Sequence, residues 1–217
     1  MKKLVLVAVA FGSFLNLAGQ HLPNYWEDVQ AIKKFDQLYQ TPPHPILFVG
    51  SSSIRKWDAL QVTFGNYNVI NRGLGGAVIN DIIFYLNDLV FPYEPRQIVL
   101  YVGENDVPNE NLTADSILNH TKKLFRLIRM KLPTTPIVYI SFKPSPSRDQ
   151  FQRKASEAVQ LIKTFVANEK NVVFVDVYSL MLKNGKSRPE LFIEDQLHLN
   201  ANGYKLWEKA IRPHLIK

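Results

Sequence analysis

Cysteine is absent from all 217 residues. That excludes disulfides as a source of stability, excludes a lipid anchor carried on cysteine, and leaves packing to hold the fold together. The five histidines are not clustered and no thiolate is present, so no cysteine or histidine cluster suggests a metal, and no cofactor is expected. Low-complexity tracts and internal repeats are also missing. The formal net charge of +7 is spread along the chain rather than gathered in a basic run, which argues against a nucleic-acid partner. Beyond the first twenty residues, no apolar run approaches the length needed to span a membrane.

Those first twenty residues differ from the rest. Met1-Lys2-Lys3 is a short basic start, Leu4 to Leu17 is mostly apolar, and Ala18-Gly19 supplies small residues before Gln20. This layout reads as a secretory signal peptide over residues 1–19, with an apolar part too short for a comfortable membrane span, the alternative being a retained anchor. Residues 20–217 are then expected as one exported domain, secreted or periplasmic. Leu17-Ala18-Gly19 would suit a lipoprotein signal, but Gln20 stands where the lipidated cysteine would be. Losing Lys2 and Lys3 takes the charge from +7 to +5.

Apolar spacing then alternates between strand-like and helix-like segments. Trp26, Val29, Ile32, Phe35 and Leu38 recur at helical spacing within Asn24 to Gln40, the aromatic residues are expected in the core, and Thr41-Pro42-Pro43 stops the helix. Five short apolar runs read as strands: Ile46 to Val49, Tyr67 to Asn71, Gln97 to Val102, Ile137 to Phe142 and Val172 to Val177. Between them lie helical patterns at Ile54 to Leu60, Ala77 to Val90, Thr113 to Lys131 and from about Phe151 to Val166, and Ala201 to Ile211 closes the chain. Such alternation implies right-handed βαβ units and a five-stranded parallel sheet between helix layers, an α/β fold.

Four polar clusters follow strand ends. Gly50-Ser51-Ser52-Ser53 follows the first, and Gly73-Leu74-Gly75-Gly76 the second. Gly103-Glu104-Asn105-Asp106 follows the third, and Asp195 with His198 lies beyond the fifth. In an open parallel sheet all would share the carboxyl edge, where ligands bind. A serine hydroxyl attacks only once a base takes its proton, and His198 is the histidine with an aspartate three residues before it. A carboxylate at that spacing can hold the imidazole in the tautomer that accepts. Gly76 and Asn105, with the Ser52 N–H, are candidate donors to the oxyanion of an acyl-transfer intermediate. Each motif also has a plainer use: serines and asparagine as loop and cap residues, glycines as turns, histidine as a surface residue.

Taken together, Gly50-Ser51-Ser52, Asn71-x-Gly73-x-x-Gly76, Gly103-x-Asn105-Asp106 and Asp195-x-x-His198 resemble, in order, the four blocks of the SGNH hydrolases, the GDSL esterase/lipase family. The resemblance implies a flavodoxin-like three-layer α/β/α sandwich and ester hydrolysis. By it Ser52 is the nucleophile, His198 its base, Asp195 the partner of the base, and Gly76 with Asn105 the oxyanion hole. One departure stands out: Ser51 occupies the place where the family usually has aspartate, which makes Ser51 and Ser53 rivals of Ser52. The Gly-x-Ser-x-Gly elbow of other serine hydrolases is not met, because Ile54 occupies its last position. Export and a small domain favour short acyl groups, such as acetyl esters on glycans. Lysophospholipase and thioesterase substrates stay open, with the loops Pro144 to Arg148 and Leu180 to Leu191 setting preference. A reading from another class is a non-catalytic, flavodoxin-like protein binding phosphate or carbohydrate.

Overall fold

A computed structural model describes residues 22–217, so the expected signal peptide lies outside the described residues. Helix α1 (Trp26–Leu38) leads into β1 (Ile46–Gly50), then the one-turn helices α2 (Ser52–Arg55) and α3 (Leu60–Thr63). Strand β2 (Val69–Gly73) follows, then α4 (Ile79–Phe84), α5 (Leu86–Leu89) and β3 (Gln97–Tyr101). The second half runs α6 (Ala114–Lys131), β4 (Ile137–Ile140), α7 (Gln152–Val166), β5 (Val172–Val175), α8 (Val177–Leu180), a hairpin of β6 (Leu182–Lys183) and β7 (Lys186–Ser187), and α9 (Ala201–Ile211).

The five long strands form one parallel sheet in the order β2-β1-β3-β4-β5. Because strand side chains alternate, each strand feeds two cores. Leu47 and Val49 join a cluster with Ile98, Leu100 and the α6–α7 residues Ile117, Leu124 and Ile162. Ile46 and Phe48 join Val99, Tyr101, Trp57 and Trp207 on the opposite face. Burial on both faces explains why these strands read as near-continuous apolar runs. Thr113 caps α6 with its side chain, accepting from Ser116 N at 3.2 Å, and Asn200 caps α9 through Asn202 N and Gly203 N. No helix among the described residues is long and apolar enough to cross a membrane.

The structure corrects several expectations. The α1 aromatic residues expected in the core are not buried, Trp26 being 40% and Phe35 55% exposed, and Val29 is the fully buried residue of the helix. Helix α1 meets the core through Val29 and Ile32, and its Asp36 anchors it to β2, the edge strand, by taking the buried Arg72 guanidinium at 2.5 Å and the Tyr93 hydroxyl. Helical spacing marks an apolar face without saying how much of it another element will cover. Strand β2 begins two residues later than expected, since the register pairs Ile46 with Val69 and Gly50 with Gly73 and leaves Tyr67 in a 3₁₀ turn. The patterns at Ile54 to Leu60 and Ala77 to Val90 each resolve into two short helices.

Candidate active site

The chain leaves β1 for β2 on one side and returns to β3 on the other, so the carboxyl ends of β1 and β3 flank the point where strand order reverses. That is the crevice position of an open α/β sheet. The serine triplet sits there: Ser51 N donates to Tyr101 O at 3.0 Å, and Ser51 O accepts from Ile54 N and Arg55 N to start α2. Ser51 and Ser53 are each 1% exposed, whereas Ser52 is partly open to solvent. The Ser52 N–H precedes the first amide bonded within the turn.

The glycine loop is tied to α2. Asn71 donates through Nδ2 to Ile54 O at 2.6 Å and accepts Gly73 N at Oδ1 at 2.9 Å. The approach is so close that a Cβ on Gly73 would stand 2.3 Å from Arg55 N. Gly76 has φ +86, the region that favours glycine, and its amide is carried on an exposed turn. The Tyr25 hydroxyl lies 3.4 Å from where a Gly76 Cβ would stand, a neighbour that no motif in the sequence announces.

Asn105 joins this loop to the end of β3. Its Nδ2 donates to Ala77 O at 3.0 Å, and its Oδ1 accepts from Arg148 Nη2 at 2.8 Å. Asp106 is buried and holds the start of α4 by accepting Ile79 N at 3.1 Å, with His120 Nδ1 3.8 Å from its other oxygen. Burial, opposed by the Ile79 N–H and His120, pushes the Asp106 carboxyl up to about 6. A raised carboxyl pKa means the folded state holds its proton more tightly than the unfolded chain, so stability is lost as pH rises from about 4 through about 6. Asp106→Asn keeps an acceptor for Ile79 N. The variant is expected to gain stability over the parent at pH 7, by up to about 3 kcal/mol, and to gain nothing at pH 4. Thermal melts at the two pH values check this, and a variant less stable than the parent at pH 7 would overturn it.

Asp195 and His198 meet directly: Asp195 Oδ2 lies 2.5 Å from His198 Nδ1, and Oδ1 accepts Leu197 N at 2.9 Å and His198 N at 2.8 Å. Desolvation opposes ionisation, but these backbone donors and the imidazole outweigh it and bring the Asp195 carboxyl down to about 2. The ring is left with Nε2 as its outward nitrogen. Helix α9, just downstream, reaches the serine turn through Tyr204, whose hydroxyl donates to Ser53 O at 3.0 Å. No hydrogen bond among the described residues joins Ser52 Oγ to the His198 ring; such bonds are often long without substrate and tighten when it binds.

Behind Asn105 lies a buried polar cluster that the sequence pattern does not reveal. Glu104, 5% exposed, accepts from the Tyr101 hydroxyl and from the Lys143 ammonium, and Arg148 Nη1 lies 3.2 Å from its Oε1. Burial raises the Tyr101 phenol well above its ordinary value, with Glu104 adding to it, and lowers the Lys143 ammonium, with Glu104 opposing. Glu104 lies inside a motif, but nothing local points to Lys143 or Arg148, about forty residues further on.

The sequence profile of the GDSL-like lipase/acylhydrolase family matches residues 47–206, which contain every one of these side chains except Tyr25. The chain belongs to that family. Its members are ester-hydrolysing enzymes, and the five-stranded α/β sandwich is theirs. A multidomain esterase of Ruminococcus flavefaciens is 26% identical over 174 residues, covering 74% of this chain and 22% of that protein. The chain thus spans about a fifth of that curated relative's length. In fold, a GDSL-like lipase from Bacteroides thetaiotaomicron VPI-5482 superposes with TM-score 0.72 at 19% identity, over 87% of this chain and 97% of that one. A variant of an acetyl xylan esterase from Geobacillus stearothermophilus superposes with TM-score 0.62 at 16% identity, over 82% of this chain and 97% of that one.

Proposed function

We propose that this GDSL-family chain is an exported serine esterase that removes short acyl groups, acetyl in the first instance, from glycan esters. The observation that carries the reading is the Asp195–His198 pair: a carboxylate held by two backbone amides fixes the imidazole at Nδ1 and leaves Nε2 as the base. Ser52, the one solvent-accessible serine of its triplet, is the nucleophile.

In the reaction Ser52 Oγ bonds to the ester carbonyl carbon while its proton passes to His198 Nε2. The carbonyl oxygen takes the negative charge and is met by the Gly76 and Ser52 amides and the Asn105 side chain. Collapse breaks the bond to the alcohol oxygen, which takes the proton from His198. Water then attacks the acyl-serine, His198 accepts its proton and returns it to Ser52, and the carboxylic acid leaves. No step calls for a metal or cofactor.

Three features support the substrate and location. One relative in fold is an acetyl xylan esterase. Beside the Ile193–Leu199 segment that flanks His198, an open groove of about 570 Å³ lined by Trp57, Asp58, Ile193, Leu199, Tyr204 and Lys205 has room for a polar alcohol, although none of the proposed catalytic residues lines it. Export to the periplasm or medium rests on Lys2, Lys3 and the apolar run Leu4 to Leu17. In the loop Pro144 to Arg148, Pro144 and Ser145 are buried and Arg148 is bound to Asn105; this loop and Leu180 to Leu191 remain the proposed determinants of preference.

A p-nitrophenyl ester series tests the reading: turnover is expected to be highest for acetate and to fall as the acyl chain lengthens, with acetate released from acetylated xylo-oligosaccharides. Preference for lysophospholipid or an acyl thioester over both would replace the substrate while keeping the mechanism.

A further inference from the structure

Asn105 is the donor whose usefulness depends most on orientation, because the two ends of an amide have nearly the same shape and opposite polarity. Both ends are specified. Nδ2 donates to Ala77 O, and Oδ1 accepts from Arg148 Nη2. Turning the amide over would set Oδ1 against the Ala77 carbonyl, acceptor facing acceptor, and Nδ2 against the guanidinium, donor facing donor. One Nδ2 hydrogen is spent on Ala77, so the second remains for a substrate.

Arg148 is itself fixed. Nη1 donates to Glu104 O at 2.9 Å and lies 3.2 Å from Glu104 Oε1. Glu104 is in turn held by the buried Lys143 and Tyr101. The guanidinium spans the carbonyl and carboxylate of one residue and the side chain of the next, a use of its planar fork that an ammonium cannot copy. The same loop also reaches the turn carrying the base, where Ser147 N donates to Gln196 O at 3.1 Å.

We infer that Arg148 is a positioning residue for the oxyanion hole: it locks the Asn105 amide donor-outward. A cation on Oδ1 also draws electron density from the amide and makes the remaining N–H a stronger donor. The inference deepens the esterase reading and rests on it.

The test is a double-mutant cycle on p-nitrophenyl acetate with the full chain. Arg148→Met is expected to lower kcat by about 10–50-fold with KM within about 3-fold, the pattern of a lost transition-state interaction. Asn105→Ala alone should lower kcat by about 10²–10³-fold. In the Asn105→Ala background, Arg148→Met should cost less than about a further 3-fold, since its target is gone. Arg148→Lys should recover only part of the loss. Circular dichroism and thermal melts confirm that each variant is folded, and if Arg148→Met is not, Arg148→Gln carries the same cycle. Unchanged kcat in the Arg148 variants, or an equal loss with and without Asn105, would overturn the inference. An Asn105→Ala variant with full turnover would instead sink the oxyanion reading beneath it.

Discussion

Ser52→Ala is expected to abolish fluorophosphonate labelling of the protein and to cut hydrolysis of p-nitrophenyl acetate by at least about 10³-fold, the scale on which losing a serine nucleophile acts. Ser51 and Ser53 are the neighbours that could take its place, and their burial argues against it. At 1% exposure neither hydroxyl can meet an ester carbonyl without moving the turn that Ser51 anchors to Tyr101 O. Ser51→Ala and Ser53→Ala should therefore keep the label. Peptide mass spectrometry of the labelled parent reads the position directly. Modification at Ser51 or Ser53 would move the nucleophile, and an unlabelled parent would end the serine-hydrolase mechanism. Because Ser52 is partly exposed and its side chain fills no core space, its alanine variant should melt close to the parent, separating chemistry from folding.

The second large effect is at Asp195. Asparagine keeps an oxygen for the Leu197 and His198 amides, but turns a donor toward Nδ1 where the carboxylate had accepted. The imidazole then keeps its hydrogen on Nε2 and cannot take the serine proton. Turnover of Asp195→Asn is expected to fall by about 10²–10⁴-fold, the upper figure being that of a fully buried carboxylate and this one being 42% exposed. Unchanged hydrolysis would contradict the role. The pH dependence adds a check. With its carboxyl down at about 2, Asp195 stabilises the fold above about pH 4, and that contribution disappears only as pH falls through about 2. Asp195 is thus ionised across the working range, and any loss of activity between pH 4 and 7 belongs to protonation of another group in the site. The stability that Asp195 contributes over Asp195→Asn should accordingly fade as pH drops from about 4 to about 2.

Much of the candidate site is legible in the amino-acid order alone. A carboxylate three residues before a histidine can meet it within one turn, and the pair does meet at 2.5 Å. Helix α9 runs from Ala201 to Ile211 as its spacing predicts, since one apolar stripe and an asparagine cap define it locally. Less legible is Gly73, which reads as a loop residue yet ends β2 and lets α2 pass within Cβ distance of its backbone.

The sequence by itself determined the alternation of five strands with helices, the parallel sheet and the four polar clusters at strand ends. Each of these is written in local periodicity or in residues a few positions apart. Only the tertiary structure decided which serine reaches solvent, that α1 turns Trp26 and Phe35 outward, and that Arg148 and Lys143 converge on Asn105 and Glu104. Those contacts span 39 to 44 residues. Spacing along a chain carries no information about them, because it is the crossover through α6 and the pairing of β3 with β4 that brings the two strand ends together.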